Sequence, residues 1–377
     1  MLEPESTHKS PKEDIEGYDS SGNGQAGYPL DSLFIRQETR SVSEVLKRVK
    51  QNRWILDPDF QRDFVWDKKK QSKLIESCIM RIPLPVFYVA EREEGEIVIV
   101  DGLQRITTFL RYVDNEFKIQ GTSFKEERNK KSLIEGQYFH ELSLNLQERI
   151  LDTQLIMYIL DANAPERARL DIFERVNSGV ALSRQQMRNA VYNGPATRWL
   201  KEIVESRLFH VATGRALNTK VMRDREAVNR FCAFSVFGVK AYRGDMDEFL
   251  ARTLRYMNDP DNAGSLDNLR KKFERSLQSN KQLFGKHAFR KSLVFDGPGF
   301  RRSTFNISLF DVCTVVLAKF TEEIQRESAS GREIRKALID LIEYDERFKN
   351  AITLSTNSTK SVKARFTLAE EAFGVGS

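Results

Sequence analysis

The stretch EIVIVDGLQRITTFLRYV, residues 96–113, decides how this chain is read. A run of β-branched residues, Ile97 to Val100, stops at Asp101-Gly102. Beyond it Ile106, Phe109, Leu110 and Val113 recur at i, i+3, i+4 and i+7, the period of a helix with one apolar face. The segment predicts a buried strand that turns sharply into a helix. Folding asks only for the acid and the glycine at such a corner. Gln104 and Arg105 are surplus to it, and they mark the place to look for chemistry.

A helix that starts in a tight turn offers unpaired backbone N–H groups and the positive end of its dipole, which together favour a phosphate. Arg105, in the first turn, can add a forked contact to phosphate oxygens. A basic residue near a helix N-terminus is unfavourable unless an anion sits beside it. Gln104 is a candidate to orient a water, and Asp101 to hold Mg²⁺ or accept a proton. The plainer alternative makes Asp101 an ordinary N-cap and places Arg105 in a salt bridge. Spacing alone leaves both open.

Working outward, Ser41-x-x-Glu44 predicts a capped helix start, and Asp67 caps a second helix that shares Leu74, Ile75, Cys78 and Ile79 on one face. Strands are expected at 52–57, 86–91, 96–100 and 153–160, the middle pair joined by a charged turn containing Gly95. A helix runs through APERARLDIFERV and stops at Asn177-Ser178-Gly179. Ser183-x-x-Gln186 opens another. Beyond about residue 165 no strand is expected, and amphipathic helices follow at about 197–206, 220–238, 245–257, 266–284, 306–325 and 330–345. The fold class is α+β: residues 31–165 form a mixed domain, residues 166–377 a mostly α-helical one, and residues 1–30 a disordered tail.

The composition, 40% hydrophobic and 30% charged, is that of a globular protein, and no apolar run is long enough to span a bilayer. The N-terminus lacks the basic start and apolar centre of a secretion signal. Cys78, Cys232 and Cys313 sit singly in apolar helical patterns, as buried thiols do in a reducing compartment. A cytoplasmic protein without membrane partners is expected. The four histidines form no metal-binding or nuclease grouping. The Gly-x-x-x-x-Gly-Lys-Ser/Thr phosphate loop and the Gly-x-Ser-x-Gly elbow are both missing, which excludes Walker-type ATPases and α/β-hydrolases.

The net charge of +6 is concentrated at residues 252–305, where twelve basic residues face five acids. Arg270, Lys271, Lys272, Arg275, Arg290, Lys291, Arg301 and Arg302 are candidates for DNA contact, against the alternative of a solvated helix face. In PDFQRDFVW, residues 58–66, Gln61-Arg62 repeats the Gln-Arg pair among Phe60, Phe64 and Trp66. Those aromatics can stack on a base or anchor a strand-helix junction.

Three segments taken together, DFQRDFVWDKKKQSKLIESCIMRIPLPVFYV, VDGLQRITTFLRYV and FERVNSGVALSRQQMRNAVYNG, resemble the family catalogued as domain of unknown function 262, the GmrSD-type or DGQQR-motif family of bacterial restriction and phage-defence systems. The resemblance is strongest over about residues 35–195 and implies a ParB/sulfiredoxin-like fold for the N-terminal domain. It also implies a nucleotide site with hydrolase activity at the Asp-Gly-Gln-Gln-Arg corner. Carried onto this chain, that site comprises Asp101, Gly102, Gln104 and Arg105, with Thr107 beside them, and the second pair Gln61 and Arg62. Asn177 and Gly179 match a further turn of the family less closely. Two departures stand out. Position 103 is Leu where the family usually has Gln, and the His-containing nuclease domain of many relatives has no counterpart here. The expectation is a nucleoside triphosphate hydrolase, with Mg²⁺ as the candidate cofactor, that gates an action on DNA through a separate nuclease or effector subunit. The alternatives are a non-catalytic DNA-binding or adaptor protein and, last, a ParB-like domain that nicks DNA itself.

Overall fold

The computed structural model describes residues 15–17, 35–56, 64, 66–92, 95–121, 134–176, 183–295 and 301–375. The chain divides into two compact units, Gly27–Asn193 on the one hand and Met1–Ala26 with Gly194–Ser377 on the other.

The first unit is built on a five-stranded mixed sheet. Its strands are β2 (Ile35–Ser41), β3 (Trp54–Ile55), β4 (Phe87–Glu91), β5 (Ile97–Asp101) and β6 (Gln154–Leu160), in the order β2-β6-β4-β5-β3. β4 and β5 form the expected hairpin, closed at Gly95 with φ of 77°. β6 runs parallel to β4, and β2 adds to the outer edge of β6 antiparallel.

Alternation along β4 and β5 sorts their side chains to two faces. Val89, Ile97 and Ile99 join a core with helices α1 (Val42–Lys50), α2 (Lys68–Ile79), α3 (Leu103–Val113) and α4 (Leu144–Leu151). Ala90 and Val100 face the other way, with Leu160, against α5 (Glu166–Val176) and α6 (Arg184–Val191), through Leu170, Phe173, Met187 and Val191. Burial of that second face draws α5 and α6 into this unit, so the division falls after Asn193 rather than at the expected 165/166.

Local signals explain the helix starts. The Ser41 hydroxyl accepts from Glu44 N at 3.2 Å, and Asp67 Oδ1 accepts from Lys70 N at 2.7 Å. Ser183 and Gln186 cap α6 reciprocally. Strand β2 and helix α4 were not expected. β2 reads IRQETRS, with a single apolar residue, so it carries no alternating apolar signal; its half-buried Arg36, Glu38 and Arg40 are joined by ion pairs instead.

The second unit contains α7 (Pro195–Glu205), α8 (Arg207–Thr213), α9 (Arg223–Phe237), α10 (Met246–Asn258), α11 (Ala263–Phe284), α12 (Ile307–Leu317), α13 (Ala329–Tyr344), α14 (Glu346–Ala351) and α15 (Thr359–Ala372). Phe231, Phe273 and Phe310 pack tilted or edge-on at its centre. Arg230 and Arg365 share the fully buried Asp311 carboxylate, Arg365 at 3.1 Å.

The structure departs from two expectations. A strand does occur beyond residue 165: β7 (Phe305–Asn306) pairs in parallel with β1 (Ile15–Glu16). The tail expected to be disordered to residue 30 therefore supplies a strand. Pairing across such a distance leaves no trace in local composition.

Candidate functional site

β5 ends at Asp101, and the chain turns through Gly102 with φ of 106°, a left-handed conformation that favours glycine. The turn also brings the backbone against an aromatic ring. A Cβ at position 102 would stand 2.2 Å from a carbon of the Phe87 ring. Gly102, not Asp101, is the N-cap of α3, and no side chain caps that end of the helix. Leu103 packs against the core, so this position serves burial where the family usually has an amide. Gln104 and Thr107 are half-buried on the first turns of α3.

The expectation of a fork on Arg105 free for phosphate needs correcting. Its guanidinium lies over the Phe87 ring, 4.1 Å from the centroid. It donates to the carbonyl of Pro85, to that of Val86 at 3.1 Å, and to Asp101 Oδ2 at 2.9 Å. The anion that accommodates Arg105 at a helix start is thus the protein's own carboxylate. Burial lowers the Arg105 pKa, and the charge of Asp101 opposes that shift. Asp101 itself is 41% exposed at the side chain, and Oδ1 has no partner among the described residues. Arg105 fixes the carboxylate; it does not reach outward. Gln61, Arg62, Asn177 and Gly179 lie outside the described residues.

Sequence reasoning missed the neighbours of this corner. Tyr88 is the register partner of Asp101, next to an irregularity between Tyr88 and Val89. Its half-exposed ring stacks on that of Tyr158, at 5.6 Å between centroids and 21° between planes. The period of β4 would have placed Tyr88 opposite the core-facing Phe87 and Val89, and only strand order brings Tyr158 beside it. A separate concavity of about 570 Å³ lies at the C-terminal end of α2, lined by Cys78, Arg81, Leu84, Glu148 and Arg149 among others. It includes no residue of the α3 start, so it is set apart from the corner. No cluster of three or more His, Cys, Asp or Glu side chains suited to a metal occurs among the described residues.

The basic region of the second unit divides on inspection. Arg270 is paired with Glu202 at 2.6 Å, Arg275 donates to the Ala318 carbonyl at 3.3 Å, and Lys291 is paired with Glu16. Arg290 is buried. Lys271, Lys272, Arg301 and Arg302 are exposed and have no ion pair among the described residues. Of the eight candidates for DNA contact, these four remain.

The family model of the GmrSD restriction endonuclease, N-terminal domain, matches residues 42–193. Over residues 42–193 the chain is therefore similar to a GmrSD-type domain. The match ends where the first unit ends and takes in the Asp101-Gly102 corner, α5 and α6. The GmrSD-type domain is of the kind found in restriction and phage-defence systems. No curated protein matches the chain. No helix among the described residues is long and apolar enough to cross a membrane.

Proposed function

We propose that the chain is a nucleotide-binding, NTP-hydrolysing subunit of a restriction or phage-defence system, in which nucleotide turnover gates an action on DNA. The observation that carries this reading is the start of α3: a helix N-terminus without a side-chain cap, entered through a left-handed glycine, with a half-exposed carboxylate at its edge. Phosphate oxygens suit such a helix start. Mg²⁺ typically takes one or two carboxylates plus substrate phosphates, and Asp101 can supply one oxygen from Oδ1. Such an ion would neutralise charge on the transferred phosphoryl group. Asp101 is held for that role by Arg105, a positioning residue. Gln104 is the remaining side chain of the first turn able to orient a water, since Leu103 is spent on packing. The Tyr88–Tyr158 pair offers an aromatic surface for a base.

Phosphate release from each of the four nucleoside triphosphates with Mg²⁺, with and without DNA, tests the reading on native chain and Asp101→Asn. Release by the native chain that the substitution abolishes supports it. No release from any nucleotide, together with no binding, overturns it.

The second reading, a DNA-binding or adaptor protein without catalysis, is favoured by Lys271, Lys272, Arg301 and Arg302, exposed and without an ion pair among the described residues. It requires affinity for DNA that falls steeply with salt. In either reading, cutting is the work of a separate nuclease or effector subunit.

A further inference from the structure

Helix α8 ends at Gly214, whose φ of 63° is left-handed. Two guanidinium groups from a distant part of the chain converge on it. A Cβ built at Gly214 would stand 2.4 Å from Arg302 Nη1 and 3.5 Å from Arg290 Nη2. The backbone conformation favours glycine at this position, and the lack of a side chain leaves room for the end of Arg302 to lie close.

The two arginines differ in their partners. Arg290 is 4% exposed and donates to the carbonyls of Ala288 and Thr213, at 2.7 and 2.9 Å. The contact to Thr213 satisfies a carbonyl at the C-terminal end of α8, and the one to Ala288 ties the same guanidinium to its own segment. Carbonyls carry no net charge, and neither arginine is in an ion pair with a described residue. Arg302 has no hydrogen bond to any described residue either, although its fork lies against Gly214 beside the first cation. Burial, with the charge of Arg302 adding to it, lowers the Arg290 pKa to about 10. Like charges brought together without a carboxylate are unfavourable unless an external anion sits between them. Arg215 and Arg301, the sequence neighbours of Gly214 and Arg302, are both exposed and unpaired among the described residues.

We propose that the Arg290–Arg302 pair at Gly214 is a backbone-phosphate site for duplex DNA, with Arg302 making a forked contact to phosphate oxygens and Arg290 fixing its position. The inference rests on the DNA-binding reading and narrows it from a basic region to one place. Arginine suits the task because its planar fork matches two phosphate oxygens, which lysine cannot do. Such a contact is independent of base sequence.

The test measures binding of a short fluorescent duplex to the full chain over a series of salt concentrations. Arg302→Ala, Arg302→Lys and Arg347→Ala are compared with the native chain; Arg347, 76% exposed at the side chain, is the charge-matched control in the same unit. Arg302→Ala is expected to weaken binding several-fold on two different duplex sequences, and to reduce the slope of log affinity against log salt by about one unit. Arg302→Lys should recover part of the loss, and Arg347→Ala should match the native chain. Equal losses in Arg302→Ala and Arg347→Ala, or no loss in either, overturn the site while leaving the DNA reading standing. Absence of binding by the native chain overturns both.

Discussion

Arg105 lies one helical turn from Asp101 and holds its carboxylate at 2.9 Å, while its other donors reach the carbonyls of Pro85 and Val86. A single cation therefore ties the start of α3 to the segment leading into β4. Arg105→Ala should leave those carbonyls without their partner and cost about 3 kcal/mol of stability. Thermal unfolding of the two proteins measures it. A melting temperature equal to the native one would show that the guanidinium holds nothing in place.

Gly102→Ala should be at least as damaging as Arg105→Ala. The new Cβ meets the Phe87 ring, and alanine at φ of 106° is strained. A loss of about 3 kcal/mol or more is expected, read by urea denaturation. Asp101→Asn, in contrast, keeps the shape of a half-exposed side chain and should change stability by less than about 1 kcal/mol.

Asp311 is the only carboxylate bonded to Arg230 and Arg365 among the described residues. Burial beside Arg230 pushes the Arg365 pKa down to about 10, whereas Arg230, with the closer hold on the carboxylate, is shifted up. Removing the acid leaves adjacent buried cations, so Asp311→Ala should cost about 3–5 kcal/mol. Circular dichroism through a thermal ramp would register this as early loss of helix in the second unit.

The thiols set a pH dependence. Burial pushes Cys78 up to about 12 from its ordinary value of 9.0, and it raises Cys232 and Cys313 as well. Between pH 9 and 12 the unfolded thiol is ionised while the Cys78 thiol in the fold keeps its proton. The fold therefore binds more protons, and its stability falls as pH rises, by about 1.4 kcal/mol per pH unit for each such thiol. Below pH 9 the effect vanishes. Native protein at pH 8 should also resist a thiol reagent that labels all three cysteines in denaturant.

If nucleotide binds at the α3 start, Tyr88→Ala should weaken it roughly tenfold, in line with about 1–3 kcal/mol for a base on an aromatic ring. Isothermal titration with native and substituted chains provides the comparison. Unchanged affinity would remove Tyr88 from the site and leave the phosphate end untouched.

The elements nearest the opening stretch were the most legible. Val98 and Val100 alternate with Ile97 and Ile99, and the strand-to-helix turn is marked by a glycine that no other residue replaces. Capping at Ser41, Asp67 and Ser183 is local chemistry, and it was readable as such. The misses are non-local. Arg105 read as unpaired because its partners Pro85 and Val86 come from another strand's approach. Arg270, Arg275 and Lys291 read as one patch because Glu202, Ala318 and Glu16 are distant in sequence. Charge counting along the chain sees cations but not which of them are already neutralised.

The pairing of Ile15–Glu16 with Phe305–Asn306 has a consequence for how the protein is made. Glu16 and Lys291 are 275 positions apart, and Thr356 donates to the Gly17 carbonyl. On the ribosome, residues 15–17 emerge first and wait until almost the whole chain has been translated before their neighbours exist. The unit Gly27–Asn193, which lies between them in the chain, can finish folding meanwhile. A recombinant fragment starting at Gly194 would lack one strand of its own unit, so cutting the gene at the domain boundary divides the wrong thing. An expression design that keeps residues 1–26 in reach of the C-terminal half respects the unit as the chain builds it.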